Sequence, residues 1–186
     1  MAGNMKAVKL RIKSVQSTMQ ITKAMELVAS SKLRKAKERA ETCRPYFTEL
    51  HETLKDIARE NIDFSSVYAR ESSNPRYCYV AIAGDRGLAG GYNANLFKCL
   101  EAAAEGKDYV VLPIGKKAVE YFRQRGIECL TDKFAEIADI SVADCFEIAN
   151  LLCEEFRKGT FGHIELCYTF LHPCFLSSRR YFLYFL

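Results

Sequence analysis

The first sixty residues carry apolar side chains at alternating steps of three and four positions. This spacing draws one apolar stripe along a helix, through Val8, Ile12, Val15, Met19, Thr22, Ala29, Leu33, Ala36 and Ala40. From position 4 to position 61 there is no glycine and one proline, Pro45. The pattern predicts a helix over residues 1–61, about 85 Å long, beside a domain with a radius of gyration of about 14 Å. We therefore expect the helix to project from that domain as a shaft.

A second pattern follows, in which short apolar runs alternate with amphipathic segments. The apolar runs predict strands over residues 77–83 and 109–114, and the amphipathic segments predict helices over 93–104, 116–125 and 142–158. Ser141 is expected to cap the last helix and Gly159 to end it. This alternation favours an α/β fold, with a small Rossmann-like, mostly parallel sheet covered by helices.

The same pattern suggests four segments. We expect a shaft helix over residues 1–61, a polar linker over 62–76 and an α/β body domain over 77–167. The last segment, residues 168–186, has a clean period of neither two nor 3.6. It is too short and too interrupted by Pro173, Arg179 and Arg180 to span a membrane.

Charge is distributed unevenly along the chain. The net charge of all 186 residues is +4, but residues 1–41 carry ten Lys or Arg and three Glu. That segment is therefore +7, and the rest of the chain is −3. A basic shaft indicates an acidic partner, which can be a nucleic acid, an anionic membrane surface or a carboxylate-rich protein segment.

Most catalytic and metal-binding classes lack support in the sequence. The eight cysteines form no Cys-x-x-Cys pair, so we expect reduced, partly buried thiols and neither zinc nor disulfides. The three histidines are far apart and no nucleophile signature lies near them. Basic residues interrupt any apolar stretch at the amino terminus, so we expect no secretory signal and an intracellular protein. We predict no catalytic residues, no cofactor and no metal.

Residues 84–91, the glycine turn, lie between a predicted strand and a predicted helix, where phosphate-binding loops also occur. The turn reads Gly-Asp-Arg-Gly-Leu-Ala-Gly-Gly, which completes neither a P-loop nor the Gly-x-Gly-x-x-Gly fingerprint. The spacing therefore favours a sharp strand-to-helix turn whose glycines permit positive φ and close backbone approach.

Two separate motifs resemble those of one known family. The first comprises Ile21, Thr22, Lys23, Ala24, Met25, Val28, Ala29, Ser31, Lys32 and Leu33, and the second comprises Asp85, Arg86, Gly87, Leu88, Gly90, Gly91, Tyr92 and Asn93. Together with Arg44, Pro45 and Tyr46, they look like the gamma subunit of the rotary ATP synthase, its central stalk. The resemblance covers roughly residues 1–162, with Ala89 where the family usually has cysteine.

The resemblance implies a non-catalytic rotor. In that family a helical shaft stands inside a hexamer of alpha and beta subunits, and the body meets the epsilon subunit and the membrane rotor ring. Ion flow turns the ring and the shaft, and the beta sites bind ADP and phosphate, form ATP and release it. The expected location is peripheral, on the cytoplasmic face of a bacterial plasma membrane. We expect no insertion into the membrane and no binding of nucleic acid.

The resemblance also implies particular contacts. The beta subunits of the family present an acidic lever to the shaft, and the candidate contacts here are Lys23, Met25, Lys32, Arg34 and Lys35. In the body domain the candidate residues are those of the glycine turn, Asp85, Arg86, Gly87, Gly90 and Gly91.

The carboxyl end departs from the family pattern. Family members continue into a second long helix that winds antiparallel around the first, so the shaft helix is expected to be half of an antiparallel coiled coil. We expect residues 168–186 to be out of frame, after a frameshift that leads to a premature stop.

Two other functions stay open at the level of sequence. One is a basic coiled-coil protein that binds nucleic acid through residues 32–39, although that segment lacks interleaved aromatic side chains. The other is a nucleotide-binding α/β enzyme that uses the glycine turn, against which the incomplete motif counts.

Overall fold

The computed structural model of the protein describes residues 2–60, 72–137 and 140–169. The chain divides into two compact units, residues 1–64 and 65–186. Most of the carboxyl-terminal segment, from residue 170 onward, and most of the predicted linker lie outside the described residues.

The first unit consists of one helix, α1, which spans Ala2–Glu60 and continues through Pro45. Its 59 residues correspond to a length of about 90 Å at 1.5 Å per residue. Every side chain from position 5 to position 50 is exposed. The apolar stripe is part of that exposed surface, since Val8 is 49% exposed and Met19 is 64% exposed. The prediction of a long amino-terminal helix is confirmed.

The second unit is a three-layer α/β domain. Its elements in chain order are β1 (Tyr77–Ile82), α2 (Tyr92–Ala104), β2 (Tyr109–Ile114), α3 (Lys116–Gln124), α4 (Val142–Lys158) and β3 (His163–Cys167). The three strands form a parallel sheet in the order β2-β1-β3. Tyr77 pairs with Tyr109 on one side and with His163 on the other. The α/β class and the parallel sheet are as predicted, but β3 was not predicted as a strand.

Alternating residues of β1 face two hydrophobic clusters. Tyr79 and Ala81 belong to the cluster that includes Phe97 of α2 and Phe122 of α3. Cys78 and Val80 belong to the second cluster, against which side chains of α4 pack. This period of two on a sheet covered on both faces explains why the strand is apolar throughout.

Both predicted ends of α4 are confirmed. The Ser141 hydroxyl accepts a hydrogen bond from the Asp144 amide at 3.3 Å, and the Asp144 carboxylate accepts one from the Ser141 amide at 2.7 Å. This reciprocal pair is a capping box, which satisfies two amides at the start of the helix. Gly159 ends α4 in the left-handed conformation, with φ +78°.

All seven cysteines in the described ranges are free thiols. Five of them are buried or partly buried, as expected, but Cys43 and Cys145 are exposed. Burial raises the pKa of Cys78 to about 12 and that of Cys167 to about 12. Since the thiolate is the reactive form, these two thiols are chemically inert. Cys174 lies outside the described residues.

Candidate functional site

The glycine turn connects β1 to α2 at the carboxyl edge of the sheet, and hydrogen bonds anchor both of its ends. The Gly84 amide donates to the Asn93 side-chain oxygen at 2.9 Å. At the far end, the Asn95 amide donates to the Gly91 carbonyl at 2.8 Å and the Tyr92 amide donates to the Ala89 carbonyl at 3.3 Å. Between these anchors, residues 86–91 are exposed. The turn is therefore a surface loop that is fixed at its base.

Asp85 connects the turn to two other segments at the same edge. Its Oδ1 accepts a hydrogen bond from the Lys116 amide at 3.2 Å. The Ile137 amide donates to both carboxylate oxygens, at 3.0 Å and 3.1 Å. Lys116 is the first residue of α3, and the preceding Gly115 provides no side-chain cap. The Asp85 carboxylate thus satisfies an amide at the helix start, where a negative charge is favourable.

This arrangement bears on the nucleotide-binding alternative. Phosphate-binding loops offer free amides and a positive helix end to the anion. Here the turn itself carries the Asp85 carboxylate, whose negative charge would repel a phosphate group at this edge of the sheet. The geometry therefore favours the structural interpretation of the turn.

Leu88 is one of the three residues of the turn, with Gly84 and Ala89, that are not among the candidate contacts. It is fully exposed and has φ +58°, the one positive φ at a non-glycine residue in the described part of the chain. A left-handed conformation costs an L-residue about 1–2 kcal/mol. Of the glycines in the turn, Gly90 alone has positive φ, +57°. A bulky apolar residue among glycines is the sequence signal that could have identified this position.

The candidate contacts on α1 are exposed but do not share one face. A helix turns about 100° per residue, so Lys23 and Arg34 lie about 20° apart. Met25 and Lys32 also lie about 20° apart, on the opposite side, and Lys35 lies between the two sides. The five residues therefore spread over about 200° of the helix circumference.

Ion pairs on the basic half of α1 are few and open to solvent. Arg34 Nε lies 3.9 Å from Glu38 Oε1, and Lys37 Nζ lies 3.7 Å from Glu41 Oε1. The Arg34 and Glu38 side chains are 74% and 65% exposed. Pairs of this kind contribute about 0–1 kcal/mol, so the cations are readily available to a partner.

Two further kinds of feature are absent from residues 2–60, 72–137 and 140–169. No helix there is both long and apolar enough to cross a bilayer. In the same ranges, no three His, Cys, Asp or Glu side chains come close enough together to hold a metal ion.

Comparison with known proteins gives one consistent answer. A family model described as ATP synthase matches residues 4–174. The ATP synthase gamma chain of Ruminococcus albus is 50% identical over 173 residues, which cover 90% of this chain and 60% of the relative. The gamma chain of Alkaliphilus metalliredigens is 41% identical over 91% of this chain and 59% of the relative.

A third relative is the sodium ion specific ATP synthase gamma chain of Acetobacterium woodii. It is 36% identical over 91% of this chain, and the match covers 56% of the relative. The chain thus spans somewhat more than half the length of these relatives. The family match and the identities agree with both sequence motifs and with the helix-plus-α/β architecture. The chain belongs to the ATP synthase gamma chain family.

Proposed function

We propose that this chain is a central-stalk rotor subunit, which couples transmembrane ion flow to ATP synthesis or hydrolysis in a hexamer of alpha and beta subunits. The observation that carries the proposal is the 50% identity to a gamma chain over 90% of this chain. The subunit itself is non-catalytic, and the chemistry belongs to the hexamer. Its further partners are the epsilon subunit and the membrane rotor ring, at the cytoplasmic face of a bacterial plasma membrane.

The form of α1 supports a shaft that several partners meet in turn. The five candidate contacts spread over about 200° of the helix circumference, so acidic levers could approach it from more than one side. Exposed ion pairs are weak, about 0–1 kcal/mol each, and screened by salt. Contacts of this strength can break and reform as the shaft turns, whereas strong fixed pairs would hold it in place.

Reconstitution tests the proposal. The chain is mixed with alpha and beta subunits of such a synthase, and a complete gamma chain from a relative serves as the positive control. We expect co-elution in size-exclusion chromatography and an increase in ATPase turnover. If the relative assembles and turns over while this chain does neither, the proposed function is wrong for this chain.

A charge-reversal pair locates the contact. The double variant Lys32→Glu/Lys35→Glu places two carboxylates opposite the acidic lever of the beta subunit. We expect the repulsion between like charges to lower ATPase turnover. The matched control, Lys55→Glu/Arg59→Glu, makes the same charge change on the same helix away from the candidate contacts. Equal effects of both variants would show that overall charge, and no local contact, governs assembly.

A further inference from the structure

One face of α1 carries a long apolar seam. From Met5, alternating steps of three and four positions reach Ile57 through sixteen positions, which are 5, 8, 12, 15, 19 and so on. Ten of these positions hold Met, Val, Ile, Leu or Phe, and those ten side chains are 38–64% exposed. A period of 3.5 residues is the one that packs two helices along their whole length. The seam therefore has the form of one half of a two-helix interface.

The seam matches itself when a second copy of the chain runs in the opposite direction. Its steps read the same from either end, so two antiparallel copies pair all positions whose numbers add up to 62. The large side chains at the two ends of the seam then face each other: Val8 with Leu54, Ile12 with Leu50, and Val15 with Phe47. The small side chains of Ala29, Ala36 and Ala40 lie in the middle of the seam, where they allow close approach. A single register thus accommodates the whole seam.

Charge distinguishes the antiparallel arrangement from the parallel one. Residues 2–20 carry four Lys or Arg and no acidic side chain, +4, whereas residues 42–60 carry three Lys or Arg and four acidic side chains, −1. Antiparallel copies place these two segments side by side at both ends of the interface, whereas parallel copies place +4 beside +4. Glu26, the charged member of the seam, then faces Ala36 between Lys35 and Lys37 of the second copy. The charges therefore favour the antiparallel pair.

The seam is also large enough for a stable dimer. Burying an aliphatic or aromatic side chain removes about 60–120 Å² of apolar surface from water. Even at the lower value, the twenty large side chains of two copies bury about 1,200 Å², which is the size at which specific, stable interfaces begin. A second copy therefore supplies the register, the charge and the area that the seam needs.

We infer that the free chain forms an antiparallel homodimer through this seam. The dimer is a property of the chain outside the synthase, so it does not rest on the proposed function. It bears on that function, because the dimer has to open before α1 meets the alpha and beta subunits.

The mass in solution tests the dimer. Sedimentation equilibrium of the whole chain is expected to give twice the chain mass of 21.2 kDa at micromolar concentration, with dissociation on dilution. Ile12→Asp puts a carboxylate into two layers of the symmetric interface, and we expect it to weaken the dimer about 100-fold or more. Ile12 is 52% exposed in the single chain, so the variant removes no core contact there.

Leu10→Asp is the matched control for Ile12→Asp. It makes the same change in the same turn of the helix, but Leu10 lies about 160° away from Ile12 around the helix axis. Leu10 is 64% exposed and lies outside the seam, so we expect the dissociation constant to stay within about threefold of that of the unsubstituted chain.

Disulfide trapping tests the direction of the two helices. Cys145→Ser and Cys174→Ser form the background, in which Cys43 is the exposed thiol of the described part of the chain. The antiparallel register places Cys43 opposite Met19 of the second copy and about 36 Å from the other Cys43. With oxidised glutathione we therefore expect a covalent dimer from Met19→Cys and none from the background.

Ile12→Cys is the control for trapping, since it faces Leu50 and should give no covalent dimer. A covalent dimer of the background itself would indicate a parallel pair and overturn the antiparallel assignment. A chain that stays monomeric at every concentration, a species larger than a dimer, or equal weakening by Ile12→Asp and Leu10→Asp would overturn the homodimer through the seam. Failure to assemble with alpha and beta subunits would leave these results unchanged, so the dimer and the proposed function fail separately.

Discussion

Gly115 lies directly against the carbonyl group of Ala83. A Cβ atom on Gly115 would be 2.1 Å from the Ala83 oxygen, and Gly115 has φ +95°. The two residues follow β2 and β1, whose last hydrogen bond joins the Ala83 amide to the Ile114 carbonyl at 2.9 Å. The two chain segments that leave neighbouring strands can therefore pass each other only because position 115 has no side chain.

Gly115→Ala is expected to destabilise the body domain by about 3 kcal/mol or more, from a left-handed penalty of about 1–2 kcal/mol and a clash with rigid backbone. The measurement is the free energy of unfolding in urea. Gly106→Ala is the matched control, since Gly106 has φ +74° and no atom within 4 Å of the added Cβ. The free energy of unfolding of Gly106→Ala should fall only by the left-handed penalty. An equal fall in both variants would contradict the steric explanation.

Much of the fold could be predicted because local patterns determine it. The heptad-like spacing of α1, the apolar runs of β1 and β2, and the signals at Ser141 and Gly159 each act over a few residues. The strand β3 gave no such signal, because Glu165 interrupts its apolar residues and only pairing with β1 places that side chain in the interior. Its existence depends on tertiary contacts.

The candidate site was predictable to a smaller extent. Resemblance to a family identified the glycine turn, and the sequence indicated a sharp bend. The role of Asp85 depends on amides 31 and 52 positions away in the chain, which no local pattern reveals. Likewise, the spacing of the five α1 contacts already implied that they lie on more than one side of the helix, whereas their roles in binding stay a prediction.

Ser141→Ala should destabilise the domain by about 1 kcal/mol, within a range of about 0.5–2 kcal/mol, because it removes the hydroxyl that accepts from the Asp144 amide. The check is the urea midpoint of the body domain. Ser141→Asp restores a capping acceptor and is expected to recover most of the loss. A Ser141→Asp variant as unstable as Ser141→Ala would argue against capping as the cause.

Asp144 makes the same cap dependent on pH. Hydrogen bonds from the Ser141 side chain and amide lower the pKa of the Asp144 carboxyl. The pKa of Asp144 is lower in the folded chain than in the unfolded chain. The ionised carboxylate therefore contributes its full stabilisation above the unfolded pKa, and this stabilisation is lost as pH falls through the folded pKa. We expect Asp144→Asn to be less stable than the unsubstituted chain at neutral pH, with the difference shrinking in acid below about pH 4. Glu154→Gln, on the same helix, is the charge-matched control, and an acid-independent difference would refute this assignment.

Pro45→Ala should stabilise α1. Proline inside a helix removes a backbone hydrogen bond and crowds the preceding turn, at a cost of roughly 3 kcal/mol. Thermal melting of helical circular dichroism measures the effect, and the α1 transition is expected to move to higher temperature. Thr42→Ala, which removes the hydrogen bond from Thr42 Oγ1 to the Glu38 carbonyl, is the control for a small propensity change nearby. A Pro45→Ala shift no larger than that of Thr42→Ala would contradict the expected cost.

Glu165 makes stability depend on pH in the opposite direction to Asp144. The residue is 5% exposed, and its Oε2 has no hydrogen-bond partner among the residues that the structure describes. Burial raises the pKa of the Glu165 carboxyl, and the nearby Lys107 and His163 oppose the shift only in part. The folded chain therefore holds this proton more tightly than the unfolded chain does. The contribution of Glu165 to stability is therefore highest below the unfolded pKa of about 4.5, and it falls as pH rises toward the folded value.

Glu165→Gln removes the titrating group while it keeps the shape of the side chain. At neutral pH we expect the variant to be more stable by about 1–2 kcal/mol, since it removes a buried charge whose Oε2 accepts no hydrogen bond. Below the unfolded pKa the two chains should differ little. Urea unfolding across this pH range measures both effects, with the exposed Glu105→Gln as the control. A Glu165→Gln variant that is less stable at neutral pH would mean that the ionised carboxylate stabilises the domain, which would contradict the expected cost of its burial.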